Sequence, residues 1–233
     1  AGADRVSTYS NLHRFAGPYD RSLVLLSAGN LATSQAVVAQ LQRDTEEGAE
    51  SSFMKAKYVS EIADYIGKVS LRQRAKHSGD NAPVAGFDAG ATFILGGQIK
   101  GQPPELYMIY PEGNHITASD QYPYLQIGET KYGKPILDRI IRRDTPYETA
   151  MRCALVSMDS TIRSNATVGP PLEGLYYKTD SLQPQCQYFK LEEHHPYLTQ
   201  LRQSWDDNIR QAFNNLPPLG EVFEASKDNG NGK

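Results

Sequence analysis

Cysteine is almost absent from this chain. Cys153 and Cys186 are the only two in 233 residues, too few for a disulfide scaffold and without the spacing of a metal site. A reduced, cytoplasmic setting is the default expectation, and Cys153, inside a helical pattern, reads as a small core residue. A basic surplus is also lacking. Lys and Arg number 24 against 27 Asp and Glu, a net charge of -3, so nothing argues for a nucleic-acid partner. No apolar run approaches the length of a membrane span, and no stretch reads as a signal peptide. There is no G-x-S-x-G elbow and no Walker-type glycine loop, which removes two common catalytic signatures. No internal repeat and no long linker divides the chain. The sequence opens on Ala1 rather than Met, and we expect a native beginning upstream of it.

What is present centres on Leu23 to Gln35, LVLLSAGNLATSQ. A short apolar run ending in small residues reads as a buried strand. Gly29 lets backbone approach closely, and Asn30 is a good N-cap for the helix that follows. The stretch therefore delivers bare backbone to the mouth of a helix, where free N–H groups can hold a negative oxygen. An ordinary strand-turn-helix joint has the same look.

Before this stretch, residues Ala1 to Phe15 read as extended chain, with Gly17-Pro18 as a turn. Leu31 to Asp44 reads as a helix, ended by Glu46-Glu47-Gly48, and Phe53 to Lys76 as a longer one. The period then changes. Ala91 to Ile99, Leu106 to Tyr110, His115 to Ala118 and Tyr124 to Ile127 read as a four-strand meander. Ile136 to Ile141 and Met151 to Ile162 restore helical spacing. Two strands follow, Gly174 to Tyr177 and Gln187 to Leu191. Leu198, Leu201, Trp205, Ile209 and Phe213 stripe a last helix. Residues 1–219 are expected to form one domain, and the tail from Gly220 to be polar and disordered.

Helix pairs alternate with antiparallel strands. Each pair needs a sheet to cover, and each sheet face needs helices. The fold class expected is α+β, two stacked sheets between two helical layers, an αββα four-layer sandwich. A doubly wound fold fits worse, because strands and helices do not alternate singly.

Three segments carry a resemblance: SAGNLATSQAV, LQIGETKYGKPILDR and SMDSTIRSNATVG. They resemble the Anbu family, bacterial relatives of proteasome β subunits among the N-terminal-nucleophile hydrolases, and the likeness covers nearly the whole chain. It implies an αββα sandwich of that type and threonine peptidase chemistry without metal or organic cofactor. It implies self-assembly into a ring-like or open-spiral homo-oligomer, with peptide as substrate and no unfoldase identified. In that chemistry an N-terminal threonine attacks the peptide carbonyl, a nearby aspartate and lysine tune the proton transfer, and backbone N–H holds the oxyanion. The resemblance puts the threonine and the aspartate upstream of AGADRVST, so neither can be named here.

Carried over residue by residue, Gly29 matches the oxyanion glycine, and Ala28 with it lines the groove for an extended peptide. Asn11, in TYSNLH, falls where the family has its lysine; an amide carries no charge with which to shift a neighbour's pKa. Glu129 falls where proteasome subunits place a serine, and Asn165 where they place an aspartate. Each has a plainer reading: Asn11 as a polar turn residue, Glu129 as a solvated loop residue, Asn165 as the cap of the preceding helix. His194-His195 reads as a pre-helix loop rather than a metal pair, and Ser157, Ser160, Thr161 and Ser164 as local hydrogen-bonders. Tyr58 and Tyr65, two turns apart, are candidates for a subunit contact, with partial burial within the monomer as the plainer reading. Three functions remain: a threonine peptidase subunit, a non-catalytic subunit of the same fold, or an amide hydrolase of small molecules.

Overall fold

A computed structural model describes residues 9–16, 20–49, 52–78, 88–183 and 187–220. The AGADRVST segment, the Gly17-Pro18 turn, Cys186 and the tail after Gly220 lie outside them. The chain forms two compact units, Ala1–Glu192 and Glu193–Lys233.

In the first unit, β1 (Leu12–Ala16), β2 (Arg21–Gly29), β3 (Ala91–Ile99), β4 (Glu105–Ile109) and β5 (His115–Thr117) form one antiparallel sheet in that order. The register pairs Leu23 with Gly97 and Leu25 with Leu95. Strand alternation sends Leu23, Leu25, Phe93 and Leu95 to one face, where all are fully buried. Against that face lie α1 (Leu31–Glu46) and α2 (Val59–Ser78), with Val37, Leu41, Ile62, Ile66 and Val69 in the same core. Each such side chain contributes roughly 1.5–3 kcal/mol by leaving water. On α2, Gly67 presses its backbone on the β4–β5 turn; a Cβ there would stand 2.1 Å from the Gly113 carbonyl oxygen.

The opposite face meets a second, two-stranded sheet of β6 (Leu172–Leu175) and β7 (Tyr188–Leu191). Arg14 of β1 lies over the Tyr188 ring at 4.8 Å. Ser10 donates to Glu173 Oε2 at 2.6 Å, and Tyr188 to Glu173 Oε1 at 2.5 Å. Gln98 of β3, 1% exposed, joins the chain after β6. Its Nε2 donates to Asp180 Oδ1 (2.8 Å) and Gln102 O (2.7 Å), while its Oε1 accepts from Tyr177 (2.6 Å) and Asp180 N–H (2.8 Å). The helices α3 (Lys134–Ile140) and α4 (Tyr147–Ser164) supply the last layer, packed through Leu137, Ile141 and Cys153. Burial pushes the Cys153 thiol pKa up, so it stays a neutral packing group.

Two expectations need correction. Tyr124 to Ile127 is irregular rather than a strand. Pro123 offers no N–H to a ladder, and Tyr124 turns to α3, donating to Asp138 Oδ1 at 2.5 Å. The second helix starts at Val59, not Phe53. The buried Arg21 guanidinium takes the Phe53 carbonyl and, at 3.1 Å, that of Ala56, so these carbonyls serve a side chain instead of a helix. Glu61 then caps α2 by accepting from the N–H groups of Lys57 and Tyr58 at 2.8 and 3.4 Å. Tyr65 is buried within the subunit, in line with the plainer reading: its ring meets Phe53 edge-on at 6.2 Å and its hydroxyl donates to Asp44. Tyr58 is 55% exposed.

In the second unit, α5 (Pro196–Asn214) opens with proline in its first turn. His195 Nδ1 accepts from Tyr197 N–H at 3.2 Å, a capping role. Among the described residues no group of three His, Cys, Asp or Glu is placed to hold a metal ion, and no helix is long and apolar enough to cross a membrane.

Candidate functional site

The site is built on the last residues of β2. Gly29 has φ 99°, and a Cβ there would stand 2.7 Å from the Gly90 carbonyl oxygen, so both conformation and space require glycine. Asn30 follows as the cap of α1: its Oδ1 accepts from Thr33 N–H at 3.0 Å and its Nδ2 donates to Asp88 O at 3.2 Å. Asn30 N–H also donates to Gly90 O at 2.9 Å. Because antiparallel bonds alternate in direction, the N–H of Gly29 turns the other way, toward the β1 side. There the last bond runs from Ser27 N–H to Asn11 O at 3.0 Å. Among the described residues, Gly29 N–H thus sits past the end of that ladder, at the mouth of a helix.

Asn11 lies on the same side. Ser27 Oγ stands 3.4 Å from Asn11 Oδ1, and Ser27 is buried. Pairing of His13 with Leu25 puts Asn11, His13 and Ser27 on one sheet face. The His13 imidazole packs on the Tyr9 ring, centroids 5.7 Å apart. Its pKa is lowered by burial, with the Glu173 charge pulling upward; Tyr9 is raised by burial.

The loop before α3 closes the other flank. A Cβ on Gly128 would meet the Ala28 Cβ at 3.4 Å, which sets Gly128, and with it Glu129, against the β2 end. Glu129 Oε1 accepts from Lys131 N–H at 2.9 Å, and Oε2 accepts from Asn165 Nδ2 at 3.1 Å. Asn165 also caps α4, its N–H donating to Thr161 O, and its Oδ1 accepts from Thr167 N–H at 2.9 Å. Asn165 thus caps α4 while its side chain reaches the Glu129 carboxylate. Gly133 anchors the loop on α4, where a Cβ would collide with Ser157 Oγ at 2.2 Å. Thr161 Oγ1 bonds Ser157 O at 2.9 Å, a local helix bond, as the serine-threonine cluster suggests.

Gly29, Ala28 and Glu129 therefore meet at one end of the sheet, with Asn165 behind Glu129 and Asn11 behind Ser27. The sequence reading did not single out Ser27, His13 or Glu173. The alternation of Asn11 and His13 in a strand was the only signal for His13.

No protein-family model matches the chain, and no curated protein matches it. Solved structures do. Anbu, the ancestral beta-subunit, from Yersinia bercovieri is 43% identical with a TM-score of 0.86, covering 94% of this chain and 90% of that one. Anbu from Hyphomicrobium sp. strain MC1 is 37% identical with a TM-score of 0.83, covering 94% and 90%. The helical assembly of the Anbu complex from Pseudomonas aeruginosa is 40% identical with a TM-score of 0.85, covering 94% and 89%. With that identity over nearly its whole length, and with a proteasome-subunit αββα sandwich of the N-terminal-nucleophile hydrolase type, this chain belongs to the Anbu family.

Proposed function

We propose that this chain is a threonine peptidase subunit that cuts peptide or amide bonds inside a self-assembled oligomer. The observation that carries the reading is the convergence at the β2 end: the Gly29 N–H leaves its ladder where Ala28 meets Gly128. A peptide lying along Ala28 and Gly29 rests its scissile carbonyl on that N–H. A threonine encoded upstream of Ala1 attacks the carbonyl carbon, and its hydroxyl proton passes to its own α-amine or a bridging water. The oxyanion forms on Gly29 N–H. Collapse expels the amine with that proton, leaving an ester that water hydrolyses. The reaction needs no cofactor. Self-assembly is supported by the helical assembly of the Pseudomonas aeruginosa relative.

Asn11 favours a second reading, a non-catalytic subunit of the same fold. A neutral amide cannot hold the proton relay at the pKa that a cation would set.

Intact mass and N-terminal sequencing of the full gene product decide first, followed by peptide cleavage with and without a threonine-reactive boronate. A mature chain opening on Thr, with boronate-sensitive cleavage, supports the peptidase. A product without a leading Thr, or without cleavage, leaves the structural subunit.

A further inference from the structure

The connection between β6 and β7 holds a conformation that its residues resist. Asp180 has φ 65° and Leu182 φ 50°, both in the left-handed region. Aspartate tolerates that region; leucine visits it rarely, because its Cβ crowds the following carbonyl oxygen. A second unfavourable feature lies between them. Ser181 Oγ is buried and has no partner among the described residues, which costs the desolvation of a hydroxyl. Strain of this kind persists only where the surroundings over-determine it.

Most of what holds the segment is side chain. Asp180 N–H donates to Gln98 Oε1 at 2.8 Å, and Leu182 N–H to the Tyr177 hydroxyl oxygen at 3.3 Å. Tyr177 in turn donates to Gln98 Oε1 at 2.6 Å, and Gln98 Nε2 donates to Asp180 Oδ1 at 2.8 Å. Ser181 N–H adds a turn bond to Lys178 O at 3.1 Å. Two side chains, one of them buried on β3, therefore grip both left-handed residues.

The segment also leads to the flank of the site. Tyr176 and Tyr177 run back into β6, a strand of four residues. On it Glu173 accepts from Ser10 Oγ at 2.6 Å. Ser10 Oγ accepts from Leu12 N–H at 3.2 Å, and beside it Asn11 O accepts from Ser27 N–H at 3.0 Å.

We propose that residues 178–182 form a sprung strap. Closed, it is held by Gln98 and Tyr177 against the strain at Leu182. Released, it slackens β6, and with it the Glu173–Ser10 link beside Asn11 and Ser27. This coupling needs no peptidase activity.

The test is amide hydrogen exchange, read by NMR on the full gene product, because exchange reports local opening. Leu182→Ala and Leu182→Gly both remove the side chain, and only glycine relieves the backbone. Asp180 N–H should exchange about fivefold more slowly in the Gly variant than in the Ala variant. At an unstrained position glycine would exchange faster, since it loses more freedom on closing. Tyr177→Phe removes the hydroxyl shared by Gln98 and Leu182. It should speed Asp180 exchange about tenfold, the scale of one lost hydrogen bond, and speed Leu12 and Ser27 exchange with it. If that variant fails to fold, Asp180→Ala replaces it, read at Leu182. Equal exchange in the Ala and Gly variants, or faster exchange with Gly, overturns the strain. A strap unmoved by Tyr177→Phe overturns the grip. Leu12 and Ser27 amides that stay unchanged while the strap opens overturn the link to the site.

Discussion

The Asn165 carboxamide donates to Glu129 at 3.1 Å, joining a helix end to a loop 36 residues earlier in the chain. The pair ties the flank of the β2 end to α4, because Asn165 is at once the α4 cap and the support of the carboxylate.

Asn165→Asp should therefore destabilise the fold in a pH-dependent way. A second carboxylate beside Glu129 raises the pKa of the pair. Stability is then lower at pH 8 and recovers as pH falls through the raised value. Thermal melts at pH 8 and pH 5 are expected to show the variant deficit, about 1–2 kcal/mol at pH 8, shrinking at the lower pH. An equal deficit at both would remove the charge argument.

Gly29→Ala should cost roughly 1–3 kcal/mol from backbone conformation alone, with the Gly90 collision added. Urea unfolding measures the loss, and peptide cleavage should fall with it. A variant as stable as the parent would mean that β3 yields freely at Gly90.

Asn11→Lys restores a cation behind Ser27. In a gene product that carries the threonine, cleavage should rise at least tenfold, within the roughly 10²–10⁴ range of positioned proton transfer. An unchanged rate would place residue 11 outside the proton relay.

Arg21 is 6% exposed and holds Asp20 with Nη2 to Oδ2 at 2.9 Å. Arg21→Met strands the Phe53 and Ala56 carbonyls and should cost about 2–3 kcal/mol. The Arg21 hydrogen bond holds the Asp20 carboxyl below the usual carboxylate range. A depressed folded pKa gives stability that is present above about pH 4 and lost as pH falls through the folded value. Acid titration of Asp20→Asn should show that part of the low-pH loss removed, a small part because Asp20 is half exposed.

Local signals served the sequence reading well where neighbours in the chain decide the conformation. The run from Leu23 into the Asn30 cap and the apolar spacing of α1, α4 and α5 needed no distant partner. Phe53 shows the limit. Its apolar side chain and helical neighbours suggested a helix, but Arg21, 32 residues earlier, claims its carbonyl. Tyr124 is the same case, drawn from a strand by Asp138. Gly29 was legible at the site because glycine itself carries the message. His13 was not, since its place beside Asn11 and Ser27 depends on the pairing of β1 with β2.

Gln98 works as a spacer of fixed length between the two sheets. Both hydrogens on its nitrogen and both lone pairs on its oxygen are engaged. Glutamate would turn an oxygen on the Gln102 carbonyl and the Asp180 carboxylate, asparagine would fall a methylene short, and methionine would strand four partners. The spacing of the two sheets at the Ser22 end of β2 is thus gauged by one side chain for which no other amino acid is a substitute.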